Sequence, residues 1–250
     1  MANTSSPPHL ADPPDDSYWC RDHRGTRYTL AQSLALIREF HGHAAPGVFI
    51  GTKMVSLAME RLPEGILFDA LSETASCLPD AVQMLTPCTI GNQWLRIKDL
   101  GRYAVILYDK ATGIGARVAL DPERLKAWPE FYAWFYKRKE KKDQNVDLLM
   151  QEISLAGQAV LAVKAVIMKP SWLVRRSKGK IATCPLCGEA FPASQGSICR
   201  GCQGETPWEA HAIDKQEEPA LRKDPAQSAI RRLGHRPPGP GANGTCRFLP

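Results

Sequence analysis

Four cysteines constrain this chain more than any other feature: Cys184-Pro-Leu-Cys187 and Cys199-Arg-Gly-Cys202, separated by eleven residues. A Cys-x-x-Cys turn presents two thiolates to one centre, and two such turns supply the donors of a tetrahedral zinc site. Gly188 follows the first pair and Gly204 lies just past the second. Without a Cβ, each relieves crowding and lets backbone N–H groups turn toward sulfur. The spacer is shorter than that of a usual zinc ribbon, so a small knuckle pair on a short hairpin is expected. Two disulfides or a redox dithiol are the competing readings. The metal-like spacing, in a chain with no mark of secretion, favours zinc. Four protein thiolates leave no open position for a substrate, so this site is expected to be structural.

A chain of 250 residues can hold one sizeable core and a small appendage. Its opening, Met-Ala-Asn-Thr-Ser-Ser-Pro-Pro, has neither a basic n-region nor an apolar h-region, so no secretory signal is expected. The longest apolar stretch, Ala156 to Met168, is broken by Gln158 and Lys164 and is too short for a bilayer. Together with the cysteine usage this points to the cytoplasm and away from membranes. The net charge of +6 is clustered in Lys137-Arg-Lys-Glu-Lys-Lys142 and in Lys169, Arg175, Arg176, Lys178 and Lys180. Such runs can contact phosphates, but most are solvated helix ends or linkers, which makes nucleic acid the less favoured partner.

Composition divides the chain into a disordered segment over 1–17, a core over 18–169, a basic linker over 170–183, the knuckle over 184–212 and a disordered tail over 213–250. Thr29 with Gln32 forms a capping box before Leu30, Leu34, Ile37 and Phe40, predicting a helix that ends near His41-Gly42. A second helix opens at Pro46-Gly47 with Ile50, Met54, Leu57 and Ala58 on one face. Residues 66–77 read as a strand and Pro79 to Leu85 as a short helix. Trp94–Lys98, Tyr103–Tyr108 and Gly115–Leu120 predict an antiparallel meander. Trp128 to Tyr136 carries too many aromatics for a one-sided surface helix. A core or dimer-interface helix is expected there, with base stacking the sharper alternative. A helix to Leu155 and a strand near Val163–Met168 complete the core.

A second constellation is less self-evident. His41-Gly-His43 falls between two predicted helices, where both imidazoles can turn toward one pocket beside the N-terminus of the second helix. Cys77, Asp80, Gln83 and Cys88 follow at successive element ends, which is how a site is assembled on a rigid scaffold. Taken singly, a histidine is more often a capping or core residue, and a lone Cys77 or Cys88 a buried small hydrophobe. Cys20-Arg-Asp-His23 is a half site read as incidental, Cys246 is expected to be a free exposed thiol, and His9, His211 and His235 receive no role.

Phe40-His-Gly-His-Ala-Ala-Pro-Gly47 resembles the Phe-His-Gly-His-x-Cys-Pro-Gly signature of the FmdE family, which takes its name from a component of formylmethanofuran dehydrogenase. The run from Glu73 to Gly91 is similar to that family's next block, Ile97 to Tyr103 to the strand and turn after it, and Cys184 to Glu189 to its carboxy-terminal knuckle. The resemblance covers about residues 30–205. It implies an α+β fold, with an antiparallel or mixed sheet, packed helices and a small C-terminal zinc-knuckle domain, and a homodimer. It also implies a polar pocket of His41, His43, Cys77, Asp80, Gln83 and Cys88, in which His41, His43 and Cys77 could hold a metal. At Ala45 the family pattern has cysteine, so one ligand is missing or the other three suffice with a position left open.

The expected function is a metal-binding accessory protein associated with a molybdenum- or tungsten-pterin oxidoreductase that handles formyl or formate groups. One alternative is an enzyme in which His41, His43 and Cys77 hold zinc as a Lewis acid and Asp80 is the general base, with no clear carboxylate partner for either histidine. The other is a zinc-knuckle nucleic-acid binder using the basic runs and the aromatic helix.

Overall fold

The capping box written into Thr29 and Gln32 closes: Gln32 N–H donates to Thr29 Oγ1 at 3.3 Å and Thr29 N–H to Gln32 Oε1 at 2.9 Å. The structure, a computed structural model, describes residues 18–174 and 179–209. Both expected disordered ends, Cys246, His9, His211, His235 and the basic residues Arg175, Arg176 and Lys178 lie outside the described residues. The short strands β1 (Cys20–Arg21) and β2 (Arg27–Tyr28) pair antiparallel and lead into α1 (Leu30–His41). Gly42 ends α1 with φ 87°, a left-handed conformation that glycine adopts without strain. Pro46, preset for the first helical position, then opens α2 (Pro46–Met59). Every α2 residue except Pro46 and Lys53 is buried, which marks it as the central helix rather than a surface one. Its buried hydroxyls are satisfied: Trp19 Nε1 donates to Thr52 Oγ1 at 2.9 Å and Arg21 N–H to Ser56 Oγ at 3.1 Å.

The sheet contains β3 (Phe68–Ser72), β4 (Leu95–Ile97), β5 (Ala104–Asp109), β6 (Ile114–Leu120) and β7 (Leu161–Ile167), in the order β4-β3-β5-β6-β7. It is mixed, as the α+β reading allows: β3 and β4 are parallel and the other pairs antiparallel. The expected meander holds only for β5 and β6. The chain passes from β3 through α3 (Leu78–Leu85) to β4, and such a crossover returns the chain parallel to its starting strand. The strand expected over 66–77 stops at Ser72, whose Oγ donates to the Thr74 carbonyl at 2.7 Å and turns the chain.

Between β6 and β7 lie α4 (Pro122–Leu125), α5 (Pro129–Phe135) and α6 (Val146–Ala156). In and around α5 the aromatics go inward: Phe131 is fully buried and Trp128, Tyr132, Trp134 and Phe135 pack against the main core. Arg138 covers the Tyr132 and Tyr136 rings, so the helix is a core element with no row of free faces for bases. Strand residues alternate between two layers. Ala70, Leu95, Val105, Leu107, Val118 and Leu120 join the helices in the main core, while Leu71, Ile106, Tyr108 and Met168 form a smaller cluster on the other face. Residues 170–173, expected as the start of a linker, form α7 (Pro170–Leu173), and Trp172 and Leu173 cover that second cluster.

The chain divides into two compact units, residues 1–176 and 177–250. In the second, β8 (Ile181–Thr183) and β9 (Ala190–Pro192) form an antiparallel hairpin. Among its described residues only Cys184 and Phe191 are buried, too little apolar surface to hold a fold. No helix among the described residues is long and apolar enough to cross a membrane.

Candidate metal centre and core pocket

The first cysteine pair occupies the turn of the β8–β9 hairpin, closed by Cys184 N–H to Glu189 O at 2.8 Å and Gly188 N–H to Cys184 O at 2.9 Å. Gly188, at φ 77°, takes the left-handed turn that the second bond requires. The second pair lies in a helical turn, Gly201–Glu205, and at its start. One sulfur from each of Cys184, Cys187, Cys199 and Cys202 lies within 4.8 Å of the others, with Cys187 and Cys199 at 3.7 Å. A tetrahedron of metal–sulfur bonds near about 2.3 Å has edges of roughly 3.8 Å, so the donor set fits a zinc ion. Backbone N–H groups reach the sulfurs from Cys199 to Cys184 at 3.5 Å and from Cys202 to Cys199 at 3.4 Å. The Cys199 and Cys187 amides bring the Cys184 thiol down to about 6, while hydrogen bonding among the neighbouring thiols pushes Cys202 up to about 12. Sulfurs gathered this closely cannot all ionise without a cation among them.

In the first unit, Gly42 and Pro46 bracket a short corner that leaves His41 and His43 side by side, their rings 4.9 Å apart. His41 Nδ1 lies 2.6 Å from Asp80 Oδ2. With the carboxylate as acceptor, Nδ1 carries the proton and Nε2 keeps its lone pair. The sequence alone showed no carboxylate partner for either histidine; Asp80 is one, contributed by the first turn of α3.

Cys77 sits at the N-cap of α3 with φ 54°, a conformation that non-glycine residues rarely adopt. This geometry places its side chain against the first turn of α2. A Cβ added at Gly47 would lie 2.9 Å from Cys77 Cβ, 3.0 Å from its sulfur and 3.0 Å from the Tyr103 hydroxyl. Burial pushes the Cys77 thiol up, as does the Asp80 carboxylate, against a hydrogen bond from the Val48 amide. Tyr103 donates to the Gly47 carbonyl at 2.7 Å, and its burial holds the phenol well above its usual range. Tyr103 was not among the expected pocket residues. Its signal in the sequence is its place just after the Gly101 turn, but nothing local says that this turn meets α2.

The loop carrying Cys77 is anchored at its start. Glu73 is 3% exposed and accepts from Arg117 Nε and Nη2 at 2.9 and 2.8 Å, with Arg102 Nε also at 2.8 Å. The Arg117 guanidinium holds this carboxyl below its ordinary range.

The structure therefore brings His41, His43, Cys77 and Asp80 together and places Gln83 and Cys88 elsewhere. Gln83 Oε1 accepts from Ile90 N–H at 3.3 Å. Cys88 is buried with its sulfur 3.5 Å from the carbonyl of Phe68, the first residue of β3, and burial pushes it to about 11. Cys77 lies beyond the other end of that strand, roughly 15 Å away at the usual rise per residue. Among the described residues, the four cysteines are the group of three or more His, Cys, Asp or Glu donors within 4.8 Å, so the core donors are more widely spaced. Cys20 and His23 are engaged apart, with Ser33 Oγ and the Leu85 carbonyl.

Comparison with known proteins adds three findings. A family model described as FmdE, molybdenum formylmethanofuran dehydrogenase operon, matches residues 40–168, and one described as the FmdE treble clef zinc finger matches residues 175–209. Among solved structures, an FmdE-like protein of tungsten formylmethanofuran dehydrogenase type from Syntrophus aciditrophicus is 46% identical with a TM-score of 0.67, covering 76% of this chain and 99% of that one. A probable S-adenosyl-L-methionine-binding protein of Archaeoglobus fulgidus is 28% identical over 197 residues, 70% of this chain. The chain spans about half (53%) of that curated relative's length.

Proposed function

The chain belongs to the FmdE family and carries that family's zinc finger, and from this premise we propose that it is a metal-binding accessory protein serving a molybdenum- or tungsten-pterin oxidoreductase that acts on formyl or formate groups. The observation that carries the metal-binding part is the His41–Asp80 pair, 2.6 Å apart, beside His43 and Cys77. A carboxylate that fixes one imidazole nitrogen and leaves the other free is the usual support of a metal-ligating histidine. In this reading His41, His43 and Cys77 hold the core metal, and Ala45, which has no donor, leaves one position open to a ligand or to a receiving protein. Zinc occupies the four cysteines and holds the second unit together. The names of the family and of the Syntrophus aciditrophicus relative support the link to a formyl-handling oxidoreductase. The working form is a cytoplasmic homodimer, supported by the outer edge of β7, which ends the sheet with Ile167 and the neighbouring Ile114 exposed.

A zinc-dependent enzyme at the same core site is the second reading, favoured by the orienting carboxylate. It differs from the sequence expectation in one role. With Asp80 turned to His41, it positions the histidine rather than acting as a free general base. A nucleic-acid role has lost its stacking platform, because the aromatics around α5 pack inward.

Elemental mass spectrometry on tag-free protein tests the proposal. Wild type should carry two metals per chain and H41A/H43A one. One metal in both would overturn the core metal site. Where two are found, turnover that depends on the second metal selects the enzyme, and stabilisation without turnover selects the accessory protein.

A further inference from the structure

On the sheet face opposite α1–α3, a cavity of about 640 Å³ is lined by Asp69, Trp94, Arg96, Tyr108, Lys110 and Trp172 among others. That volume is in the range of small-molecule sites. The register accounts for the grouping. Asp69 faces Tyr108 across β3–β5, and Leu71, two residues along the same face as Asp69, faces Arg96 across β3–β4. The Arg96 guanidinium lies over the Trp172 ring, 4.7 Å from its centroid, and Nη2 donates to the Tyr108 hydroxyl and the Trp172 carbonyl. Lys110 Nζ stands 3.3 Å from the Trp94 ring centroid and 3.1 Å from Asp69 Oδ1.

Two buried atoms at this cavity have no hydrogen-bond partner: the Nε–H of Arg96, a donor, and Oδ1 of Asp69, an acceptor that Lys110 approaches without completing a hydrogen bond. Buried polar atoms in this state are uncommon, and each marks a place where a partner belongs. One unmet donor, one unmet acceptor and two indole rings around a single cavity describe a flat heterocycle that offers the opposite set.

We propose that this cavity binds the 2-amino-4-oxopyrimidine edge common to guanine and pterins. The ring N–H and 2-amino group donate to the Asp69 carboxylate, the ring carbonyl accepts from Arg96, and the ring plane lies against an indole of Trp94 or Trp172. Adenine lacks both the ring N–H beside its amino group and the carbonyl, so it satisfies neither atom in this way. The site lies on the other face of the sheet from the His41–Asp80 pocket and does not depend on metal there.

Isothermal titration calorimetry on the full chain with GMP, pterin-6-carboxylate and AMP tests this. At least one of the first two should bind one per chain, at least about tenfold more tightly than AMP. GMP alone would identify a nucleotide, the pterin alone a pterin, and both would identify the shared edge; each of these supports the proposal. Binding by neither, or AMP binding as well as GMP or the pterin, would overturn it. D69N should weaken the 2-amino ligand about tenfold and shift preference to its 2-oxo counterpart, xanthosine monophosphate for GMP or the lumazine analogue for the pterin. The introduced amide can donate to the 2-oxo group, and this gain of binding cannot come from misfolding. A D69N chain that keeps the 2-amino ligand's affinity, or loses it without gaining the 2-oxo ligand, would overturn the assignment of the edge.

Discussion

The two cysteine- and histidine-bearing regions of this molecule are built in opposite orders. The second unit has a complete set of four donors and almost no buried apolar side chains, so metal must come first and structure follows from it. The core pocket has a scaffold finished without metal: an all-round buried helix, a five-stranded sheet and a buried carboxylate gripped by two arginines. Its donors stand further apart and one family position holds alanine. Donor spacing alone thus says whether a site makes its fold or borrows it.

Three substitutions sharpen that contrast, from the largest effect to the smallest. C184S/C187S should remove one metal per chain and collapse residues 179–209, since structural zinc supplies about 10–16 kcal/mol of apparent folding free energy to such units. Nuclear magnetic resonance should show amide dispersion lost there and kept in the first unit. Dispersion kept in both would break the comparison. E73A should cost about 3–5 kcal/mol in chemical denaturation, with or without metal, because two guanidinium groups lose their buried partner. Its acid limb follows from the sign of the shift. Arg117 depresses the Glu73 pKa below 4.5, so its contribution is full above that value and fades as pH falls through the folded pKa. The gap between wild type and E73A should therefore narrow below about pH 4, and a constant gap would assign the loss to packing. G47A, the smallest, should cost about 1–3 kcal/mol by pushing Cys77 and Tyr103 off the α2 turn. Unchanged stability would mean that the turn has slack.

Local chemistry was legible in the sequence and long-range pairing was not. The Thr29–Gln32 box, the Pro46 helix start and the Cys-x-x-Cys turns are set by neighbours within four residues, and each is found where it was read. The placement of β4 beyond β3 follows from α3 crossing over, which no strand signal in residues 94–98 carries. Similarly, Ser72 ends β3 early through a hydrogen bond invisible in a hydrophobic pattern, and that turn is what delivers Cys77 to α2. Cys88 reads like a pocket residue because it is near Cys77 in sequence, yet a strand's length separates them. Asp80 was legible as a pocket residue but not in its role, since its partner lies 39 positions away.

The all-round burial of α2 has a kinetic consequence. Its first turn forms one wall of the core pocket, and the helix packs against α1, α3, α6, β5 and β6 at once. Amide protons there can exchange with solvent only through an opening that dismantles most of the first unit. A ligand that binds at that turn therefore slows exchange across the whole unit by a common factor, as a wedge at a keystone tightens every course of an arch.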